Sequence, residues 1–229
     1  MKINNPFTTL NRFEWGLWLT SMAVIACCTL VSPTQSLLSM VASLIGVTAL
    51  IFIAKGRVIG QLFLIVFSVF YGIISFGFRY YGEVITYLGM SAPMAVIAAI
   101  QWIRHPYRNT SQVKVGKLTS KKIAVVAGLS AAVTVAFYFI LKALGNENLI
   151  VSTLSVTTSF VAASLTALRS PYYAIGYALN DIVLIALWVM ASIEDVSYLS
   201  MVICFVVFLI NDSYGYVSWR RMERRQKRE

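Results

Sequence analysis

Tyr172 to Ala191 reads YYAIGYALNDIVLIALWVMA, a run apolar enough to cross a bilayer that carries Asn180 and Asp181 side by side near its middle. About 20 residues of helix match the roughly 30 Å hydrocarbon core. An Asp at the centre of such a span costs about 2.5 to 3.5 kcal/mol on insertion scales, so it faces a protein-lined cavity and marks a functional site. On a 3.6-residue period Tyr173, Tyr177, Asn180, Leu184 and Trp188 share one stripe, with Asp181 on its flank beside Tyr177 and Trp188. The stripe suits a ring and its hydroxyls.

The rest of the chain has the same character. Of 229 residues, 59% are hydrophobic and 12% charged, and the mean hydropathy is +0.76. An ordinary soluble domain carries about 25% charged residues, so composition excludes that class and specifies an all-α integral membrane protein. Apolar runs predict eight transmembrane helices at 15–31, 37–54, 58–78, 84–103, 123–144, 149–168, 172–192 and 198–218. The first run is followed at once by others, which predicts no cleaved leader.

Charge sets the topology. The chain has 19 Lys and Arg against 9 Asp and Glu, a net charge of +10. With a cytoplasmic amino terminus, every basic residue falls inside except Arg79 and Lys142, as the positive-inside rule requires. An even number of helices then returns the carboxyl terminus to the cytoplasm. The tail WRRMERRQKRE reads as an anchor on anionic lipid, and no nucleic-acid partner is expected. Trp15 and Trp18 are expected as interfacial anchors.

The second half repeats the first. The turn ALRS, Ala167 to Ser170, answers AKGR, Ala54 to Arg57, and Trp219 with Arg220 answers Trp102 with Arg104. Two three-helix units of like orientation need an extra crossing between them, which the run at 123–144 supplies. A 1+3+1+3 architecture follows: an amino-terminal segment and extra helix over 1–36, a first bundle over 37–103, a cytoplasmic loop and connector helix over 104–148, a second bundle over 149–218 and a basic tail over 219–229.

Other positions join the candidate site. Asn211 and Asp212 form a second polar pair in the last span, with Tyr214 one turn on; an ion pair between Asp212 and Arg220, two turns away, is the alternative reading. Gln61, Ser68 and Tyr71 lie along one side of the third helix, where Tyr71 either reaches a ligand or bonds a backbone carbonyl. Pro93 should kink the fourth helix. The short turn at 32–36 contains Pro33.

Chemistry is sparse. Cys27, Cys28 and Cys204 sit inside apolar runs as packing residues, His105 is the only histidine, and no phosphate-binding GxxxxGK[ST] loop is present. Neither metal nor cofactor is expected.

The stretch Ala54 to Met94, with its AKG turn, Tyr71, the Tyr81, Gly82, Glu83 turn and the Pro93, Met94 pair, resembles the PnuC family of vitamin transporters. Asn180, Trp188 and the ending NDSYGYVSW with Trp219 carry the likeness through the second half. The resemblance implies a duplicated three-helix-bundle fold related to SWEET transporters and a ligand such as nicotinamide riboside. The family's WxxWxxxN signature ends here on Asn180, while its two Trp positions fall on Tyr173 and Gly176. The Gln often found after the Pro, Met pair is Ala95. Relatives carrying thiamine, riboflavin or deoxynucleosides show that this scaffold changes ligand by such exchanges.

The expected protein is a facilitator in the cell membrane, open to a homo-oligomeric state, that takes a small nucleoside or vitamin by alternating access, with phosphorylation trapping the ligand inside. Asn180, Asp181, Asn211 and Asp212 are its polar contacts, and Tyr71, Tyr173, Tyr177 and Trp188 its aromatic walls. Two rival readings remain: proton or sodium coupling through Asp181, and an intramembrane aspartyl protease built on Asp181 and Asp212.

Overall fold

Inside hydrocarbon only internal pairing satisfies every backbone N–H and C=O, so the apolar runs become helices. The computed structural model describes residues 5–31, 37–77, 81–108, 110–146, 148–194, 196 and 199–229. A short 3-10 turn, Pro6–Thr9, leads into α1 (Arg12–Val31), α2 (Leu37–Ala54), α3 (Val58–Gly77) and α4 (Tyr81–Val84). A π-helical stretch, Ile85–Ser91, joins α4 to α5 (Ala92–Arg104), and α6 (Ser120–Ala143), α7 (Leu149–Ala167), α8 (Tyr173–Glu194) and α9 (Leu199–Arg228) follow. Among the described residues there is no β-strand. Among the described residues six helices are long and apolar enough to cross a membrane, and Met40–Ala54 and Val58–Ile73 are shorter apolar helices. The turn at 32–36 and Arg79 lie outside the described residues.

Other helix ends shift by up to three residues from the sequence reading, and two regions differ more, each for a local reason. Pro93 has no N–H, and its ring crowds the carbonyl four residues back. The backbone widens instead of only bending: Ala92 N–H donates to Tyr87 O, five residues back, in the π-helical stretch. The last helix runs ten residues past Ser218, because Arg220 and Lys227 both pair with Glu223, at 2.5 and 2.7 Å, in a segment of strong helix formers.

The packing has a pseudo-twofold pattern. α2 packs on α3 and α3 on α5; α7 packs on α8 and α8 on α9. Across the middle α2 lies against α9, and α5 lies against α7. α1 covers α2 and α9, while α6 lies against α7. The helix–helix approach within the second group is close: a Cβ on Gly176 would stand 2.9 Å from Ala162 Cα.

Both groups end their first helix in the same way. Gly56 closes α2 with φ +65°, Gly56 N–H donates to Ile53 O at 2.8 Å and Arg57 N–H to Phe52 O at 3.0 Å. Arg169 closes α7 with φ +59°, Arg169 N–H donates to Thr166 O at 2.9 Å and Ser170 N–H to Leu165 O at 2.9 Å. Each is a Schellman cap. Gly adopts the left-handed conformation freely, whereas Arg169 carries a strain of about 1 kcal/mol that its neighbours hold in place.

α1 is pinned at the same end. Asn11 and Glu14 form a capping box, with Glu14 N–H on Asn11 Oδ1 at 2.9 Å and Asn11 N–H on Glu14 Oε2 at 2.7 Å. Glu14 is buried, and it also accepts from Lys55 Nζ at 2.9 Å and from Tyr214 Oη at 2.5 Å. The carboxylate therefore joins α1 to the end of α2 and to the middle of α9. Lys55→Met should lower the thermal midpoint of the purified protein by about 5–10 °C, since it strands a buried charge worth about 3 kcal/mol; an unchanged midpoint would show that this junction carries no stability. Trp15 and Trp18 are half-buried: Trp18 donates to Thr48 Oγ1 at 3.2 Å, and both rings lie tilted against Phe7, which packs on Phe52.

Candidate functional site

A polar side chain held in an apolar helix bundle without a partner costs about 1–3 kcal/mol, so each one calls for a reason. Among the described residues six side chains carry such atoms: Ser130 on α6, Arg169 at the end of α7, and four on α3, α8 and α9. Gln61 and Ser68 on α3 are fully buried, and neither amide atom of Gln61 nor the hydroxyl of Ser68 has a protein partner. On α8 and α9, Asp181 Oδ2 and Asn211 Oδ1 are likewise buried and unpartnered. Ser68 and Asp181 stand at the same 113-residue offset that relates Gly56 to Arg169. The two helix groups thus direct polar atoms inward from equivalent levels.

The structure gathers some of the expected residues and separates others. The carboxyl groups of Asp181 and Asp212 stand next to each other, with Tyr177 beside the pair and near Thr166. Asp212 does not pair with Arg220, whose partner is Glu223. Asn180 is buried, and its carboxamide oxygen accepts from Ser155 Oγ at 3.2 Å and Thr158 Oγ1 at 2.9 Å, both on α7. Those hydroxyls fix the carboxamide so that its NH2 is the end turned away from α7.

Asn211 faces elsewhere. Its NH2 donates to Ser21 Oγ of α1 at 2.9 Å and to Val207 O at 2.8 Å, which leaves only its oxygen to offer. Tyr214, expected on the same face, is turned to Glu14. Tyr71 stands in the first group against Tyr87, with ring centroids 4.3 Å apart, and Trp188 is half-buried about two turns beyond Asp181. Gln61 and Ser68 were legible as a stripe with Tyr71, but nothing in one sequence shows that they lack partners.

Below this polar layer the basic end is shut by tryptophan. Trp102 Nε1, at the end of the first group, donates to Thr166 O in the second at 2.9 Å; Trp219 Nε1, at the end of the second, donates to Ile53 O in the first at 2.8 Å. Each indole takes the carbonyl that already closes the opposite Schellman cap. The rings lie 5.4 Å apart, both fully buried, and Tyr173 packs on Trp219 at 5.0 Å with its hydroxyl against Gly215. Tyr173 is therefore part of this floor.

The linker after α5 straps the floor from outside. Val113 N–H donates to Gly56 O and Gly116 N–H to Arg169 O, both at 2.9 Å, so one short segment binds both caps. Gln226 of α9 pairs with the strap in both directions, accepting from Val115 N–H and donating to Val113 O. Burial lowers the pKa of Arg57 and Arg169 from the usual guanidinium value.

A family model described as nicotinamide mononucleotide transporter matches residues 36–221. The chain belongs to this family. It is 27% identical over 219 residues to the nicotinamide riboside transporter PnuC of Neisseria mucosa, covering 93% of this chain and 83% of that protein. It is 22% identical over 211 residues to the nicotinamide riboside transporter PnuC of Haemophilus influenzae, covering 91% and 90%. The crystal structure of the vitamin B3 transporter PnuC superposes with a TM-score of 0.80 at 26% identity, over 95% of this chain and 94% of that one.

A member of the nicotinamide mononucleotide transporter family is a multi-pass membrane protein that moves a small molecule and is not an enzyme. Asp181 and Asp212 are consequently not a protease dyad.

Proposed function

We propose that this chain carries nicotinamide riboside, or a nucleoside or vitamin closely related to it, by alternating access. The reading has eight spans in a 1+3+1+3 order, with α1 as the extra helix, α6 as the connector and both termini on the cytoplasmic side of the cell membrane. The observation that carries it is the set of buried, unpartnered polar atoms on Gln61, Ser68, Asp181 and Asn211. The names borne by the Neisseria mucosa and Haemophilus influenzae relatives supply the ligand class.

In this mechanism the NH2 of Asn180, the free oxygen of Asp181 and the carboxamide of Gln61 bond the ribose hydroxyls, and Asn211 contributes its oxygen. Tyr177, Trp188 and Tyr71 supply aromatic walls, and Tyr173 closes the bottom with Asp212 behind it. Transport rocks one three-helix group against the other about the strap. Phosphorylation of the arriving ligand then makes uptake irreversible.

Liposome uptake tests the site. Asn180→Ala should reduce affinity for nicotinamide riboside by about five- to tenfold, the worth of about one to one and a half hydrogen-bond equivalents, while thermal stability falls little. Native affinity in this variant would remove Asn180 from the site. A thermal-shift screen against nicotinamide riboside, thiamine, riboflavin and deoxynucleosides identifies the ligand among its class.

One observation favours a second reading, ion coupling: the neighbouring carboxyl groups of Asp181 and Asp212, between which a proton would bridge. Uptake that follows an imposed pH gradient would make the protein a proton symporter. Uptake indifferent to pH and sodium gradients makes it a facilitator.

A further inference from the structure

The proposed ligand-binding residues do not account for a cavity of about 430 Å³ at the basic end of the molecule. It lies between Lys117 in the strap, the Ser170 to Tyr172 turn that opens α8, and one face of the α9 extension bearing Arg220, Glu223 and Lys227. Its volume falls in the range of small-molecule pockets, roughly 300–1,000 Å³. Spacings of three and four place Arg220, Glu223 and Lys227 on a single helix face.

The charge balance is uneven. Glu223 is the one carboxylate and already holds two cations, Arg220 at 2.5 Å and Lys227 at 2.7 Å. Lys117 adds a third positive charge whose ammonium makes no ion pair among the described residues, so three cations face one anion. Arg220 also lies over the Tyr172 ring, 5.8 Å from its centroid, and Tyr172 is itself exposed at the foot of a membrane span. An aromatic at the span's end, cations reaching past it and an excess charge of two describe a receptor for phosphate esters at the depth of the lipid headgroups.

We infer that this cavity binds the phosphodiester headgroup of an anionic phospholipid, with Arg220, Lys227 and Lys117 on the phosphate. The occupant would tie the strap, the start of α8 and the α9 extension together, the elements that meet at the tryptophan floor. Placing the cavity at the inner leaflet rests on the orientation given above; headgroup binding itself does not.

The test uses the full-length protein in nanodiscs of phosphatidylcholine with a minor fraction of phosphatidylglycerol, and native mass spectrometry counts retained phosphatidylglycerol. Both leaflets carry the lipid and no transport substrate is present, so failure of the substrate assignment leaves the result unaffected. Lys117→Gln and Lys227→Gln should each weaken retention about fivefold. Glu223→Gln, which removes the competing carboxylate, should strengthen it by a similar factor, a change of sign that a merely damaged fold would not give. Retention unchanged by all three substitutions overturns the inference, as does an equal loss in the tail variant Arg221→Gln/Arg224→Gln. Displacement of the lipid by millimolar inorganic phosphate would assign the cavity to a soluble phosphate and overturn the lipid.

Discussion

Trp219→Ala should destabilise the protein by about 3–5 kcal/mol and open its basic end. The indole is fully buried, it stacks on both Trp102 and Tyr173, and its N–H reaches Ile53 O in the other helix group. Trp102→Ala should behave alike, because its bond to Thr166 O is the mirror image. Trp219→Phe keeps a ring but loses the donor; Ile53 O still accepts from Gly56 N–H, so this change should cost only about 1 kcal/mol. The double Trp102→Ala/Trp219→Ala variant decides whether the two act together. Rings in contact should give a coupling of about 0.5–1.5 kcal/mol in a thermodynamic cycle. Strict additivity would mean that the floor is two separate contacts and not one gate.

Gln61→Leu should move stability and binding in opposite directions. In the free protein a leucine replaces a fully buried carboxamide whose two polar atoms lack protein partners, so the thermal midpoint should rise, by the equivalent of about 1–3 kcal/mol. Ligand affinity should fall by about tenfold or more, because the guest loses the partners for which the cost was carried. Thermal melts with and without nicotinamide riboside read both effects at once. A variant that is less stable, or that binds as the parent does, would make Gln61 a packing residue. This opposition separates a site residue from a structural one more cleanly than loss of uptake, since any unfolding abolishes uptake.

Much of the proposed site is legible in residue order. Asn180 and Asp181 declared themselves because a charge and a carboxamide do not enter an apolar span without cause. Direction did not follow from order. Asn180 and Asn211 occupy matching Asn, Asp pairs, yet one bonds α7 and the other α1. Tyr173 lies on the same stripe as Asn180 and still belongs to the floor, since Trp219 comes from α9 to meet it. Glu14 passed as part of an amino-terminal segment, although its NRFE capping pattern was visible; its second and third partners, Lys55 and Tyr214, are 41 and 200 residues away.

Residue order by itself determined that the chain crosses a membrane repeatedly, where its helices begin, which end is basic and that its halves repeat. Those properties are sums over neighbouring residues: transfer free energy along a run, charge between runs, and a period. Only the tertiary structure decided which polar atoms remain unpaired, that two tryptophans exchange carbonyls between the halves, and that three cations outnumber a carboxylate around one cavity. Hydrogen bonds and ion pairs act over about 3 Å in space, and helices remote in the chain meet at that range only after packing has chosen their faces.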